Sequence, residues 1–154
     1  RVATKILLAF ASTRERRDPP YPKIYFYEHD GIASGKLRQT FTRKEGLANE
    51  YVFAVGLDRD GHKWFGTNAG GVSRYKDGKW KTFFPMHGLA DYWIYAFAQQ
   101  KNGDFWIGTW AGVNHFNVTT GKFKTYVKEL INEWVYGLAM DKSGRIWFVS
   151  MAHR

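Results

Sequence analysis

The 154-residue chain contains no cysteine, few prolines and no long apolar run. The absence of cysteine excludes disulfides and thiolate metal sites. The longest apolar run, residues 6–11, is much shorter than the roughly 18 residues that a membrane-spanning helix needs, so we predict no membrane segment in this chain. Three of the four prolines lie at positions 19, 20 and 22 among charged residues, and this cluster predicts a long surface loop over residues 14–23.

A repeat of about 42 residues organises most of the chain. Residues 46–49 (Gly-Leu-Ala-Asn) open one copy, residues 88–91 (Gly-Leu-Ala-Asp) open the next, and residues 130–132 (Leu-Ile-Asn) open a third. In each copy an apolar run leads to a polar turn that contains glycine, and a tryptophan follows the turn. These matched tryptophans, which we expect to pack between repeats, are Trp64, Trp106 and Trp147.

Each copy is expected to form four antiparallel strands. The first strands, at 51–57, 93–98 and 134–140, are almost continuously apolar or aromatic, which predicts an innermost position with burial on both faces. Dipeptides such as Asp60-Gly61 and Asn102-Gly103 favour tight turns with positive φ, so each first strand should turn directly into the strand that carries the tryptophan. The last strand alternates lysine with aromatic residues, and we expect it outermost with one wet face.

Positive charge is in excess, with a formal net charge of +9. Such an excess favours an acidic partner only where the charges gather on one surface. Lys79, Lys81, Lys122 and Lys124 fall in the predicted outermost strands, where lysine discourages association between sheet edges. Because this role explains them, we do not predict nucleic acid as a partner.

A four-stranded antiparallel unit repeated in tandem predicts an all-β fold, a partial β-propeller with about 42 residues per blade. We expect one domain over residues 1–154: a degenerate blade at 1–45, full blades at 46–87 and 88–129, and the first half of a blade at 130–154. Propellers have about four to eight blades, so we expect the chain to start and end within blades. The remaining blades would come from missing chain, the favoured interpretation, or from another copy of this chain.

The sequence of residues 46–75, with Asp-Arg-Asp-Gly-His-Lys-Trp-Phe-Gly-Thr at 58–67, resembles the two-component regulator propeller repeat. Residues 88–116 and 130–148 resemble it as well, so that the resemblance covers 46–149. It implies a sensor-type β-propeller of bacterial signal transduction. It also implies a location in the periplasm or outside the cell.

Candidate ligand-binding residues lie in loops that we expect on one face of the propeller. Aromatic rings beside carboxylates and amides can stack on sugar rings and hydrogen-bond hydroxyls, so this face predicts a small polar or carbohydrate ligand, or a protein partner. Tyr51, Trp93 and Trp134 occupy matched places and are expected to pack at the rim, whereas Trp110 has no aromatic counterpart. The predicted ligand-binding residues are Trp110, Asn68, Tyr92, Asp91, Glu50, Glu133 and His87.

No metal, cofactor or catalytic residue is predicted. Residues 58–61 (Asp-Arg-Asp-Gly) look like the start of a calcium loop, but the closing acidic residue is absent and a turn explains them. The five histidines show no ligand spacing, and no nucleophile motif occurs. Two alternatives to a binding module stay open. One is a structural or interaction propeller within a larger assembly. The other is a propeller lyase or hydrolase with its acid and base on different blades, because streptogramin-inactivating lyases are a similar propeller family.

Overall fold

The computed structural model describes residues 6–12, 23–29 and 36–151, with side chains from residue 41 onward. These residues form thirteen strands and one short 3₁₀ turn at Pro85–His87. The strands are β1 (Ile6–Ser12), β2 (Lys23–His29), β3 (Lys36–Phe41), β4 (Val52–Leu57), β5 (Lys63–Thr67), β6 (Val72–Lys76), β7 (Lys79–Phe83), β8 (Ile94–Gln99), β9 (Phe105–Thr109), β10 (Gly112–Asn117), β11 (Lys122–Tyr126), β12 (Val135–Met140) and β13 (Ile146–Ser150). The loop predicted at 14–23 lies outside the described residues except for Lys23, where β2 begins.

The strands form antiparallel sheets in which neighbours in the chain pair with each other. β1, β2 and β3 form a three-stranded sheet, β4–β7 and β8–β11 form two four-stranded sheets, and β12 pairs with β13. We call β4–β7 the first blade, β8–β11 the second blade and β12–β13 the final hairpin. The predicted all-β fold with four-stranded antiparallel blades is confirmed. None of the helical structure in the described residues could span a bilayer.

The predicted tight turns join the strands. Gly61, Gly103 and Gly144 have φ values of 82°, 98° and 88° between the first and second strands of their repeats. Between β6 and β7, both Asp77 and Gly78 have positive φ, at 48° and 81°. Two consecutive residues with positive φ give the turn whose twist matches paired antiparallel strands, which explains why the chain reverses so tightly there.

Aromatic side chains fill the space between adjacent sheets. Trp64 of the first blade is fully buried. Its ring stacks on Phe105 of the second blade with a centroid distance of 4.8 Å and meets Phe116 edge-on at 5.2 Å. On the opposite face of the first blade, Phe65 packs edge-on against Phe41 of β3 at 5.9 Å. Aromatic contacts of this kind therefore hold the first blade to the sheets on both sides.

Two matched glycines bring neighbouring sheets close together. A Cβ atom on Gly66 would lie 2.5 Å from Cγ2 of Ile94, and a Cβ atom on Gly108 would lie 2.7 Å from the carbonyl oxygen of Val135. Only glycine leaves room for such an approach. The matching residue of the final hairpin is Val149, and it is exposed.

The first strands of the repeats are more exposed than the sequence predicts. β4, β8 and β12 lie at sheet edges, and Phe53, Leu57 and Tyr136 are exposed, so the prediction of burial on both faces is wrong. The pairing of each first strand is also irregular at one matched aromatic residue, namely Phe53, Tyr95 or Tyr136. A β-bulge redirects a side chain, so an aromatic residue in an apolar run can point to the surface.

Candidate functional site

Loops of each blade come together where the first strand begins. In the first blade the Asn68 N–H donates to the Tyr51 carbonyl at 2.8 Å. In the second blade the Trp110 N–H donates to the Trp93 carbonyl at 3.1 Å. Both bonds tie the connection between the second and third strands to the entry of the first strand. Asn68 and Trp110 therefore occupy the same place in successive blades.

Six aromatic side chains form a continuous cluster around this place in the second blade. We call it the aromatic rim. Trp110 contacts three other members, with its ring centroid 4.4 Å from that of Trp134, 6.1 Å from Trp93 and 6.5 Å from Tyr95. The members of the aromatic rim are Phe53, Trp93, Tyr95, Trp110, Trp134 and Tyr136.

The aromatic rim crosses from the first blade to the final hairpin. Phe53 stacks on Tyr95 with centroids 5.4 Å apart and an angle of 7° between the rings. Tyr95 lies 5.8 Å from Trp134. The rim is open to solvent, since Trp110 is 48% exposed and Phe53 is equally so. Large apolar side chains grouped at a surface in this way are typical of an interaction site.

Short side-chain turns fix two of the tryptophans. Asp91 Oδ1 accepts the Trp93 N–H at 2.7 Å, and Asn132 Oδ1 accepts the Trp134 N–H at 2.8 Å. The same turn precedes β4, where the acceptor is Asn49 and the distance is 2.9 Å. Because Asn and Asp side chains favour this local turn, the sequence itself sets the entry of each first strand.

Polar groups accompany the rings. Burial raises the pKa of Tyr95, and the Asp91 carboxylate raises it further, so the Tyr95 hydroxyl stays protonated and can donate a hydrogen bond at neutral pH. Trp134 Nε1 is buried and finds no acceptor among the described residues. Glu133, the preceding residue, is exposed. The aromatic rim therefore combines apolar ring faces with hydrogen-bonding groups.

Two predicted site residues support the fold around the loops. Glu50 is buried, and its Oε1 accepts the Arg43 N–H at 3.1 Å. His87 is exposed in the 3₁₀ turn, where its Nδ1 accepts the Phe84 N–H at 2.9 Å. Tyr92 is exposed as well, and its ring lies 6.1 Å from that of Phe84. These three residues lie outside the aromatic rim.

Three members of the aromatic rim are not among the residues that the sequence predicts for the site. Phe53, Tyr95 and Tyr136 each lie two residues after a matched aromatic residue at the start of a first strand. The recurrence of an aromatic residue at that register was a usable signal. In the sequence this aromatic residue belongs to an apolar run that predicts burial, because a sequence pattern does not show a β-bulge.

The turn that looks like a calcium loop is closed by its own hydrogen bonds. Asp58, Asp60 and His62 each place one possible ligand atom within 4.8 Å of the others. However, Asp58 Oδ1 accepts the N–H groups of Asp60 and His62 at 3.0 and 2.8 Å, and Oδ2 accepts Nε1–H of Trp64 at 2.9 Å. Burial acts to raise the pKa of Asp58, but these hydrogen bonds outweigh it and lower the pKa below its ordinary value. We interpret this cluster as a structural turn.

The histidines of residues 41–151 contact partners within their own repeats. His62 Nδ1 lies 3.0 Å from Asp58 Oδ1. The His115 ring packs at a tilt against Trp106 with centroids 4.9 Å apart, and its Nε2 lies 3.1 Å from Asp104 Oδ2 without the alignment of a hydrogen bond. In this part of the chain we find no histidine paired with a carboxylate of another blade.

The family model of the two-component regulator propeller matches residues 88–111 and 129–152. Each matched segment begins near the start of a repeat and ends just after its second strand. No curated protein matches the chain by sequence.

Solved structures show the same fold. The extracellular domain assigned to the hybrid two-component system BT3049 from B. thetaiotaomicron is 22% identical with a TM-score of 0.70, over 94% of this chain and 20% of that one. The extracellular domain assigned to the one-component system BT4673 from the same organism is 15% identical with a TM-score of 0.60, over 96% of this chain and 20% of that one. An inactive virginiamycin B lyase from Staphylococcus aureus, solved with quinupristin, is 17% identical with a TM-score of 0.59, over 94% of this chain and 53% of the lyase.

The chain therefore spans about a fifth of the length of the two extracellular domains and about half of the lyase. Their low identities make these likenesses statements about architecture. Two segments of the chain match the two-component regulator propeller repeat, and the tandem four-stranded blades together with the solved structures show that the chain folds as part of a β-propeller.

Proposed function

We propose that this chain is a non-catalytic binding module and that its ligand is held at the aromatic rim. The observation that carries the proposal is the exposed group of rings around Trp110. An apolar patch left in water costs free energy, and a patch accompanied by polar groups is the usual form of a recognition surface. Trp110 offers an open indole ring, while Trp93 and Trp134 on either side hold it in place.

A carbohydrate or another small polar ligand suits this chemistry. An indole ring can cover the apolar face of a sugar ring, and the Tyr95 hydroxyl and the carboxylates of Asp91 and Glu133 can bond to hydroxyl groups. Pockets that bind such ligands combine apolar walls with a few polar groups that fix orientation.

The similarity to extracellular domains of two-component systems supports a sensor role for the propeller, with the binding site in the periplasm or outside the cell. In this proposal residues 1–154 form a single propeller unit. Ligand binding at the aromatic rim would be the input to signal transduction.

The proposal is tested by titrating the intact protein with soluble neutral oligosaccharides and measuring heat of binding. Trp110→Ala should weaken binding about tenfold or more, because truncating a central aromatic contact commonly costs more than about 1 kcal/mol of binding free energy. Asn68→Ala is the matched control: the sequence predicts Asn68 as a ligand contact, but it holds the same loop position in the first blade and lies outside the aromatic rim that this proposal makes the site. The affinity of this variant for the oligosaccharide should stay within twofold of that of the unaltered protein.

Equal binding by Trp110→Ala and the unaltered protein would rule out the aromatic rim as the site. If no oligosaccharide binds but a protein partner does, and Trp110→Ala weakens that complex, the interaction propeller becomes the correct function.

A further inference from the structure

A concave surface lies on the outer half of the first blade, away from the loops of the aromatic rim. It is a pocket of about 340 Å³. The pairing of β6 with β7 places Arg74 opposite Lys81 and Lys76 opposite Lys79. Residues directly opposite in an antiparallel pair share a face, and so do residues two apart along a strand. The residues that line the pocket are His62, Arg74, Lys76, Asp77, Lys79, Trp80 and Lys81.

The pocket gathers four cationic side chains against one lining carboxylate, that of Asp77. Within residues 41–151 none of the four cations forms an ion pair. Lysine and arginine thus outnumber the single carboxylate in the pocket lining, and a surface with such a local excess of positive charge favours an anionic partner.

Arg74 is held in a fixed position at this pocket. Its guanidinium carbon lies 5.3 Å from the centroid of Trp64 and 5.6 Å from that of Phe83. Burial lowers the pKa of Arg74, and the nearby carboxylates of Asp58 and Asp60 partly oppose this effect, but arginine keeps its charge at neutral pH. A guanidinium stacked on rings still presents its N–H donors at its edge, where they suit the oxygens of a bound anion.

The second blade provides an internal comparison, because its matching surface is less basic. His115 replaces Arg74, and Asn117 replaces Lys76. Lys122 and Lys124 remain at the positions of Lys79 and Lys81. The lysines of the outer strands are therefore common to both blades, whereas the full set of four cations occurs in the first blade.

We propose that the pocket lined by Arg74, Lys76, Lys79 and Lys81 binds an oxyanion of the sulfate or phosphate type, either free or as an ester on a larger molecule. This site is independent of ligand binding at the aromatic rim. Tetrahedral oxyanions accept several hydrogen bonds at once, which matches convergent lysine and arginine donors. The volume of the pocket leaves space for the group to which an ester would be attached.

The test is a titration of the intact protein with inorganic phosphate, inorganic sulfate and glucose 6-phosphate, each against sodium chloride at matched ionic strength. Binding is followed by calorimetry and by chemical shifts of the amides in β6 and β7. We expect saturable binding that the Lys79→Gln/Lys81→Gln double variant weakens about tenfold or more. The matched double variant Lys122→Gln/Lys124→Gln should change the affinity less than twofold.

The sources of the anion are separated by the same titrations. Binding of glucose 6-phosphate but not of the inorganic ions identifies an ester as the ligand, and equal binding of all three identifies the free oxyanion. The proposal is overturned if chloride produces the same shifts, if no titration saturates, or if both double variants lose affinity equally. Thermal melts of the two variants check that each is folded.

Discussion

The first blade and the final hairpin contain the same turn and the same tryptophan, but their surroundings differ. In the first blade, Asp58 Oδ2 accepts Nε1–H of Trp64 at 2.9 Å, and in the final hairpin Asp141 Oδ2 accepts Nε1–H of Trp147 at 3.1 Å. Trp64 is nevertheless fully buried, whereas Trp147 is 58% exposed. The turn sets the orientation of the ring, and the adjacent sheet provides the burial. The expectation that Trp147 packs between blades is therefore not met within the described residues.

The second blade separates these two effects. Gln100 stands at the position of Asp58, and Trp106 Nε1 is buried without an acceptor among the described residues. Trp106 still packs on the final hairpin, with its ring 6.1 Å from that of Phe148. Packing of the tryptophan between sheets thus persists without the hydrogen bond, so the bond to the turn is not required for it.

The largest expected effect comes from removing the buried ring. Trp64→Ala should lower the free energy of unfolding by about 3–5 kcal/mol, because it leaves a cavity between the two blades. Trp147→Ala should cost much less, about 0.5 kcal/mol, since its ring is already largely in water. Urea denaturation of the 154-residue chain, followed by circular dichroism, measures both. An equal loss of unfolding free energy in the two variants would show that the burial of a tryptophan does not decide how much it stabilises the fold.

The sequence predicts the blades well because their determinants are local. The turn glycines, the alternation of lysine with aromatic residues in β7 and β11, and the matched tryptophans all act within one repeat. The aromatic rim depends on contacts such as that of Trp110 with Trp134, which belong to different repeats. Trp110 was identified because it lacked an aromatic counterpart. Phe53 and Tyr95 were missed because pairing irregularities, which the sequence does not show, place them at the surface.

A second prediction concerns the close approach of adjacent sheets. Gly108→Ala should lower the free energy of unfolding by about 2 kcal/mol, because its Cβ would collide with the backbone oxygen of Val135, which cannot move without the strand. Val149→Ala at the matching position of the final hairpin should change the stability by less than about 0.5 kcal/mol. Urea denaturation of the 154-residue chain compares the two variants. If Gly108→Ala leaves the free energy of unfolding unchanged, the sheets can move apart at this point without loss of stability.

The smallest expected effect comes from the charge of Asp58, and pH makes it measurable. Asp58→Asn keeps the size of the side chain but turns an N–H donor or a weaker acceptor toward Trp64 Nε1. The loss at pH 7 should be about 1–2 kcal/mol, the usual cost of leaving a buried donor unsatisfied. Asp141→Asn, in the exposed turn, should lower the free energy of unfolding by less, because water can replace the carboxylate as a hydrogen-bond acceptor there.

The pH dependence follows from the lowered pKa of Asp58 in the folded chain. A carboxyl group with a lowered pKa stabilises the fold fully above its unfolded value, about 4, and loses this contribution as the pH falls toward the folded value. The stability difference between the unaltered protein and Asp58→Asn should therefore be present at pH 5 and shrink below pH 4. Urea denaturation at each pH measures it. A difference that stays constant down to pH 3 would show that Trp64 is held by the shape of the turn and not by the carboxylate charge.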